Sequence, residues 1–433
     1  MEGEGVARKQ NDEDITLNIP LLTEHEENQI SGRVSNNNVT TTTSFLKTCF
    51  NCLNALTGIG ILSVPYALAS GGWLSLALLF SIAAIAFYTG LLMKSCMEKH
   101  SNIKTYSDIG EFAFGKTGRL LVSISMYTEL YLVSTGFLIL EGDNLSKLFP
   151  IEEFQVAGIS IGAKKFFVIF VALIILPTVW LDNLSLLSYV SASGVFATVI
   201  IILSITWTAT FDGVGFHKKG DIVNWNGIPT AVSLYAFCYC AHPVFPTLYY
   251  SMSKKHHFSN VLIVCFVLTT IGYASMAIIG YLMFGSKVES QVTINLPLNK
   301  ISSRIAIYTT LVNPISKFAL MATPITNALK DLLPRTYKNN KVTNIFVSTF
   351  LVISNIILAL SIPFFGSLMS LVGALLSVTA SVLLPCLCYL KISGTYRKFG
   401  FETVTIVVVI LIAIAMGIFG TCMSVIEIVQ NLQ

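Results

Sequence analysis

The sequence predicts an all-α protein that crosses a membrane many times. Of its 433 residues, 54% are hydrophobic and only 12% are charged, whereas soluble domains carry about 25% charged residues. After residue 43, apolar runs long enough to cross a hydrocarbon layer of about 30 Å recur to the end of the chain. Two of these runs are interrupted near their middle by Gly and Pro. Together these features indicate one polytopic membrane domain in which two spans have backbone groups without helical partners.

The first 43 residues differ from the rest of the chain in composition. They contain eight acidic and three basic residues and are rich in Asn, Thr and Glu. Low hydrophobicity with few aromatic side chains predicts a disordered tail. The tail lacks a basic region followed by a short apolar core, so we predict no cleaved signal peptide. Residues 1–43 are therefore interpreted as a disordered cytosolic tail, and residues 44–433 as the transmembrane domain.

Eleven segments are predicted to span the bilayer, and the fourth is short and contains Pro177. In chain order they are 44–69, 73–96, 119–140, 165–180, 184–209, 228–251, 260–284, 305–329, 342–362, 366–390 and 403–429. With the N-terminus inside, the inner loops hold fourteen Lys and Arg residues and the outer loops hold eight. The positive-inside rule therefore predicts a cytosolic N-terminus and a C-terminus on the opposite side.

The two interrupted spans are the first and the sixth. The first carries T-G-I-G-I-L-S-V-P from Thr57 to Pro65, and the sixth carries C-A-H-P-V-F-P from Cys240 to Pro246. Each begins a block of five spans, 44–209 and 228–390. Because five is odd, the second block would be inverted relative to the first, and 403–429 would be an extra helix. Paired broken helices of this kind are typical of the binding sites of secondary transporters.

The interruptions predict a binding site for a molecule that carries one negative and one positive charge. Gly58 and Gly60 allow close backbone approach, and the half-helix after them would begin with free N–H groups that suit a carboxylate. Carbonyl groups freed near Asn54–Thr57 and Cys238–Ala241 would suit an ammonium group or a cation. A zwitterionic amino acid meets both requirements. The alternative is that these residues are packing glycines and a proline kink, which are common in membrane helices.

Three ionisable residues are predicted at mid-membrane depth: Glu129, His242 and Lys317. Each should face protein or water, because a charge facing lipid is costly. Asn313 lies one helical turn before Lys317, whose ammonium could replace a bound sodium ion among carbonyls of the first span. Alternatively, Lys317 pairs statically with Glu129 or a carbonyl. His242 could carry a proton, or its ring could simply cap free backbone groups beside Pro243.

Two sequence motifs resemble the amino acid/auxin permease family. The segment from Asn51 to Leu68, N-C-L-N-A-L-T-G-I-G-I-L-S-V-P-Y-A-L, resembles helix 1 of that family, and S-L-Y-A-F-C-Y-C-A-H-P-V-F-P-T-L-Y from Ser233 to Tyr249 resembles its helix 6. The chain is especially similar to the plant and fungal vacuolar amino acid transporters of the AVT group. The resemblance implies a LeuT-type fold with a 5+5 inverted repeat, neutral amino acid substrates and proton-coupled exchange across the vacuolar membrane.

The resemblance also implies roles for individual residues. The segment from Thr57 to Ile61 matches the unwound substrate segment, and Asn51 and Asn54 match an asparagine pair near the ion site of sodium-coupled relatives. Lys317 argues against a sodium requirement here. The predicted substrate-binding residues are Asn54, Thr57, Gly58, Ile59, Gly60, Ile61, Tyr239 and His242. The predicted coupling residues are Asn51, Glu129, Asn313 and Lys317.

The predicted function is secondary active transport of neutral amino acids across the vacuolar membrane by proton-coupled antiport. Two alternatives stay open: an amino acid sensor of the same fold, and a plasma-membrane amino acid/auxin permease. No nucleophile–base pair or metal constellation indicates an enzyme, and no cofactor, metal or nucleic acid is expected. The expected partners are the amino acid, the proton and the lipid bilayer. Sorting adaptors could read Pro20-Leu21-Leu22, although Leu17 stands where such signals carry an acid.

Overall fold

A computed structural model describes residues 43–100, 103–156, 159–180, 187–334, 340–397 and 400–433. The predicted tail up to residue 42, with its Pro20-Leu21-Leu22 sequence, lies outside the described residues. The elements that position the site are fifteen α-helices and one hairpin. They are α1 Phe45–Leu56, α2 Gly60–Gly71, α3 Ser75–Lys99, α4 Tyr106–Leu148, β1 Phe154–Val156, β2 Ile159–Ile161, α5 Ala163–Val179, α6 Leu187–Thr210, α7 Ile228–Cys238, α8 Phe245–Ser251, α9 Phe258–Phe284, α10 Val292–Asn295, α11 Ile301–Asp331, α12 Lys341–Ser361, α13 Phe365–Leu371, α14 Leu384–Ser393 and α15 Phe401–Leu432.

The prediction of an all-α membrane protein with eleven spans is confirmed. In the part of the chain that the structure describes, nine helical stretches are long and apolar enough to cross a membrane. Helices α1 and α2 form a tenth span that is bent by 49°, and the 17-residue helix α5 lies where the fourth of the eleven spans was predicted. The β1–β2 hairpin is a local antiparallel addition between α4 and α5.

Helix α4 is much longer than the predicted third span. It begins at a capping box in which Thr105 and Asp108 satisfy each other's backbone N–H groups. A kink follows at Gly115, where φ is +67°, a conformation that glycine adopts without the strain of a side chain. The helix then continues to Leu148 through Glu141, Asp143, Asn144 and Lys147. These polar residues end the apolar run, but they do not end the helix.

The tenth span contains a wide helical turn. Between α13 and α14 the chain adopts π-helical geometry over Val372–Ser377 and Thr379–Leu383. Gly373 lies against α7 so closely that a Cβ there would be 1.9 Å from the carbonyl oxygen of Ser233. Such π-helical turns often mark functional sites in helices. Here the wide turn brings Ser377 and Ser381 towards α4 and the sixth span, which carries the second break.

Candidate substrate and coupling site

The first span is broken at the predicted position. Helix α1 ends at Leu56, and α2 begins at Gly60. Thr57 closes α1 by donating both its backbone N–H and its side-chain hydroxyl to the carbonyl of Leu53, at 2.6 and 2.7 Å. The N–H of Gly58 then turns back to the carbonyl of Leu56 at 3.0 Å. These bonds end the first half-helix. In the first turn of α2 the N–H of Leu62 bonds the carbonyl of Ile59 at 3.1 Å, and the N–H groups of Gly60 and Ile61, which precede it, have no partner within the helix.

The sixth span is also broken at the predicted position. Helix α7 ends at Cys238, a short 3₁₀ turn covers His242–Val244, and α8 begins at Phe245. Pro243 and Pro246 remove backbone N–H donors here, and the residue before a proline is pushed away from helical geometry. The carbonyl groups near Cys238 therefore lack regular helical partners.

The two breaks touch each other. A Cβ on Gly60 would lie 2.7 Å from Sγ of Cys238 and 3.3 Å from its Cα, so only a hydrogen atom fits between the two backbones. By contrast, a Cβ on Gly58 would have no heavy atom within 4 Å. One glycine therefore holds the two broken spans together, and the other borders open space. The predicted neighbours Ile59 and Ile61 are both buried.

Tyr273 joins the two breaks, a role that no sequence pattern indicated. It lies on α9 and is completely buried. Its hydroxyl lies 2.5 Å from the carbonyl oxygen of Leu56 and 3.2 Å from that of Cys238. A phenol carries one O–H donor, so the two carbonyls share it. These two carbonyl groups, which we expected to be free for a cation, therefore already share a hydrogen-bond donor.

Lys317 lies beside the first break, in a position that fits both a substitute cation and a static pairing with a carbonyl. It is buried on α11, and its ammonium group donates to the carbonyl of Asn54 at 3.4 Å. The side-chain oxygen of Asn54 is itself buried and has no hydrogen-bond partner within the described ranges. A Cβ on Gly194 of α6 would lie 2.0 Å from that oxygen and 3.4 Å from Oδ1 of Asn313. Three predicted residues, Asn54, Asn313 and Lys317, therefore converge where α1, α6 and α11 meet, whereas Asn51 is only half-buried.

Glu129 belongs to a second group of polar residues, at the other break. Its carboxylate accepts a hydrogen bond of 2.6 Å from the Ser377 hydroxyl in the π-helical turn. The thiol of Cys240 interacts with both Glu129 and Ser381. Among the described residues, no ion pair joins Glu129 to Lys317. The static Lys317–Glu129 pair considered above is therefore absent, and each group contacts a different break.

His242 and Tyr239 face neighbouring helices in this conformation. The Nε2 atom of His242 lies 3.1 Å from the carbonyl of Ala86 and 3.0 Å from the hydroxyl of Thr89, both on α3. Nε2 therefore carries the proton, because a carbonyl can only accept. The Tyr239 hydroxyl donates to Thr270 on α9 at 2.9 Å. The side chains of His242 and Tyr239, which we predicted to bind substrate, thus form hydrogen bonds with helices α3 and α9 near the second break.

The two glycines of the first break allow a matched test of its geometry. We expect Gly60→Ala to lower stability by about 1–3 kcal/mol and to impair transport, because its methyl group would overlap Cys238. Gly58→Ala meets no such overlap, so we expect it to fold normally and to raise the KM for substrate by narrowing the open space. Thermal unfolding together with transport kinetics separates these outcomes. Equal effects of both variants on stability would contradict this assignment.

Comparison with known proteins agrees with this architecture. The family described as "Transmembrane amino acid transporter protein" matches residues 41–430. Two Arabidopsis thaliana proteins, "Amino acid transporter AVT1I" and "Amino acid transporter AVT1J", are each 58% identical to the chain. The alignments cover 90% of this chain and 96% of the first relative, and 89% and 92% for the second.

A solved structure shares the fold. A Na⁺-coupled sialic acid symporter in a substrate-bound, outward-open state superposes with a TM-score of 0.53 over 90% of this chain and 91% of that chain, at 14% identity. Identity this low shows the fold alone. The extent of the family match and the identity to the plant relatives decide the classification. The chain is a multi-pass transporter, not an enzyme, and it belongs to the transmembrane amino acid transporter protein family.

Proposed function

We propose that the chain carries neutral amino acids across the vacuolar membrane in exchange for protons, by alternating access. The observation that carries this proposal is the contact between the two breaks, where Gly60 meets Cys238 and Tyr273 binds a carbonyl from each. Unpaired backbone groups survive in a membrane only where they line a protein cavity. A cavity bordered by both breaks would offer donors and acceptors to one small zwitterion.

The two ends of an amino acid fit different parts of this site. The substrate carboxylate would bind at the first turn of α2, where free N–H groups and the positive end of the helix dipole favour an anion. The substrate ammonium would bind carbonyl groups of the second break. The open space beside Gly58 would receive the side chain. An uncharged side chain suits this space, because a Cβ on Gly58 would meet no heavy atom within 4 Å.

Lys317 supports coupling to protons rather than to sodium. Its ammonium group occupies a position beside the Asn54 carbonyl, where it supplies the positive charge that a bound cation would otherwise bring. Glu129, buried at the second break, is a carboxyl group that can gain and lose a proton as water reaches the site. Asn51 and Asn313 complete the proposed coupling set.

The proposed orientation places the N-terminus in the cytosol and the C-terminus in the vacuolar lumen. It is supported by the excess of Lys and Arg in the inner loops, and the vacuolar membrane by the similarity to the AVT group. Residues 44–209 and 228–390 would be the two inverted repeats, with 403–429 as the extra helix. One repeat would rock against the other around a fixed site.

Uptake into proteoliposomes tests the proposal directly. The purified chain would be reconstituted with acidic medium inside, and a radiolabelled mixture of alanine, glutamine, leucine and tyrosine would be added outside. One pH unit supplies about 1.4 kcal/mol per proton, which supports roughly tenfold accumulation for one exchanged proton. We expect a protonophore to collapse the accumulation and replacement of sodium by potassium to leave it unchanged. Sodium-dependent, protonophore-resistant uptake would refute the proposal.

A further inference from the structure

A second buried carboxyl group lies far from Glu129 along the same helix. Glu141 on α4 is completely buried. Neither of its carboxyl oxygens has a hydrogen-bond partner among the residues that the structure describes. Protein interiors rarely bury an acid in this way, because an isolated carboxylate is strongly unfavourable away from water. An unpaired acid of this kind in a transporter therefore calls for a functional explanation.

The end of α4 that carries Glu141 is closed by the segment 288–297, which we call the cover segment and which includes α10. Asn144, one helical turn from Glu141, donates to the side chain of Gln291 at 2.8 Å. Gln291 in turn donates to Asp143 at 2.9 Å. The cover segment is thus bound through side chains to the same turn of helix that holds Glu141.

Lys147 strengthens this closure through the backbone of the cover segment. Its ammonium group donates to the carbonyls of Thr293 and Leu296, at 3.2 and 2.6 Å, and also to the carbonyl of Ile294. Within the segment, the side chains of Val292 and Leu296 are buried. On the opposite side of the same turn, Lys164 of α5 forms an ion pair of 2.5 Å with Asp143. Water can therefore reach Glu141 from this end only after the cover segment moves.

Five charged groups at this end of the bundle bind partners other than Glu141. They lie on α4, α5, α11 and α15, and they are Asp143, Lys147, Lys164, Arg304 and Glu427. Glu289, in the cover segment, is exposed. Arg304 donates to the carbonyl of Leu298, and Glu427 accepts from the Tyr66 hydroxyl at 3.2 Å. Within the described ranges, Glu141 takes part in no ion pair with any of them.

We propose that Glu141 binds a proton while the cover segment is closed and releases it when that segment lifts. In the release step the carboxyl O–H bond breaks, the electron pair stays on the carboxylate, and the proton passes to a water molecule that enters from the opened side. Closing reverses the step. The inference rests on the proposed proton coupling, to which it adds a proton-binding residue whose protonation is linked to one gate.

The sign of the pH effect follows from burial. The closed state accommodates the neutral acid and excludes the carboxylate, so protons favour closure. Raising the pH should therefore favour the open cover segment. In Glu141→Gln the side chain stays neutral at every pH, so closure should lose this pH dependence. Glu152→Gln is a suitable control, because Glu152 is an exposed acid in the loop that follows α4.

Hydrogen exchange of the cover segment tests the inference without a substrate. For the full chain in lipid nanodiscs, backbone exchange across residues 288–297 should rise with pH beyond the intrinsic rate in the parent protein and in Glu152→Gln, but not in Glu141→Gln. Exchange in the parent protein that follows only the intrinsic pH dependence would overturn the inference. This measurement on the parent protein decides the matter even where Glu141→Gln fails to fold.

Transport measurements provide a second test. With the same amino acid mixture, we expect Glu141→Gln to retain exchange of labelled for unlabelled substrate at equal pH. Under a gradient of one pH unit, we expect its accumulation of substrate to be about tenfold lower than that of the parent protein. Accumulation equal to that of Glu152→Gln would overturn the role of Glu141. Absence of pH-driven accumulation in the parent protein would instead refute proton coupling itself, so the two failures are distinguishable.

Discussion

Replacing Lys317 with alanine is expected to reduce pH-driven uptake by at least about tenfold. The ammonium group of Lys317 lies at the carbonyl of Asn54, beside the first break, and a hydrogen bond from a charged donor contributes about 1.5–3 kcal/mol. Its loss leaves a buried carbonyl without that donor and removes the positive charge from the position of a cation. We expect the remaining uptake to depend only weakly on the pH gradient. Initial uptake rates into proteoliposomes at several imposed gradients measure both effects.

Lys330→Ala is the matched control for this experiment. Lys330 lies near the end of the same helix and donates to the side chain of Asn344 at 2.9 Å, remote from both breaks. We expect that variant to transport like the parent protein. Unchanged pH dependence in a stably folded Lys317→Ala protein would remove Lys317 from the coupling mechanism. A newly acquired dependence on sodium would support its role as a substitute cation.

The sequence predicted the features of the structure that depend on local properties of the chain. Gly58, Gly60 and Pro243 mark the two breaks because glycine and proline change backbone geometry whatever surrounds them. The depth of Lys317 within an apolar run placed it at mid-span, and helical spacing put Asn313 on the same face. These predictions needed only the chain itself and the requirement that buried backbone groups find partners.

The sequence was less informative where partners come from distant segments. The tyrosine at position 273 is one of several in apolar runs, and nothing local shows that its hydroxyl reaches carbonyls of two other spans. Glu141 was missed because the apolar run ends at Leu140, whereas α4 continues for two further turns under the cover segment. The alternatives for Lys317 could not be separated either, because Glu129 proved to bond Ser377 through a π-helical turn that no local pattern predicts.

Replacing Tyr273 with phenylalanine is expected to uncouple the two breaks while preserving the packing of α9. The substitution removes one oxygen atom and with it the donor shared by the carbonyls of Leu56 and Cys238. Leaving a buried acceptor unsatisfied costs about 1–3 kcal/mol. We therefore expect lower thermal stability and a fall in maximal transport rate, because the half-helices on either side of the site lose their common anchor. Thermal unfolding and uptake kinetics test the two effects separately.

Tyr281→Phe distinguishes loss of this anchor from general destabilisation. Tyr281 lies two turns further along α9, is equally buried, and its hydroxyl accepts a hydrogen bond of 2.7 Å from the backbone N–H of Asp221. Both variants remove one buried hydroxyl from the same helix, so we expect similar losses of stability. Only Tyr273→Phe removes a contact with the breaks, so it alone should lower the transport rate per folded molecule. Equal transport by the two variants would show that Tyr273 stabilises the bundle without positioning the site.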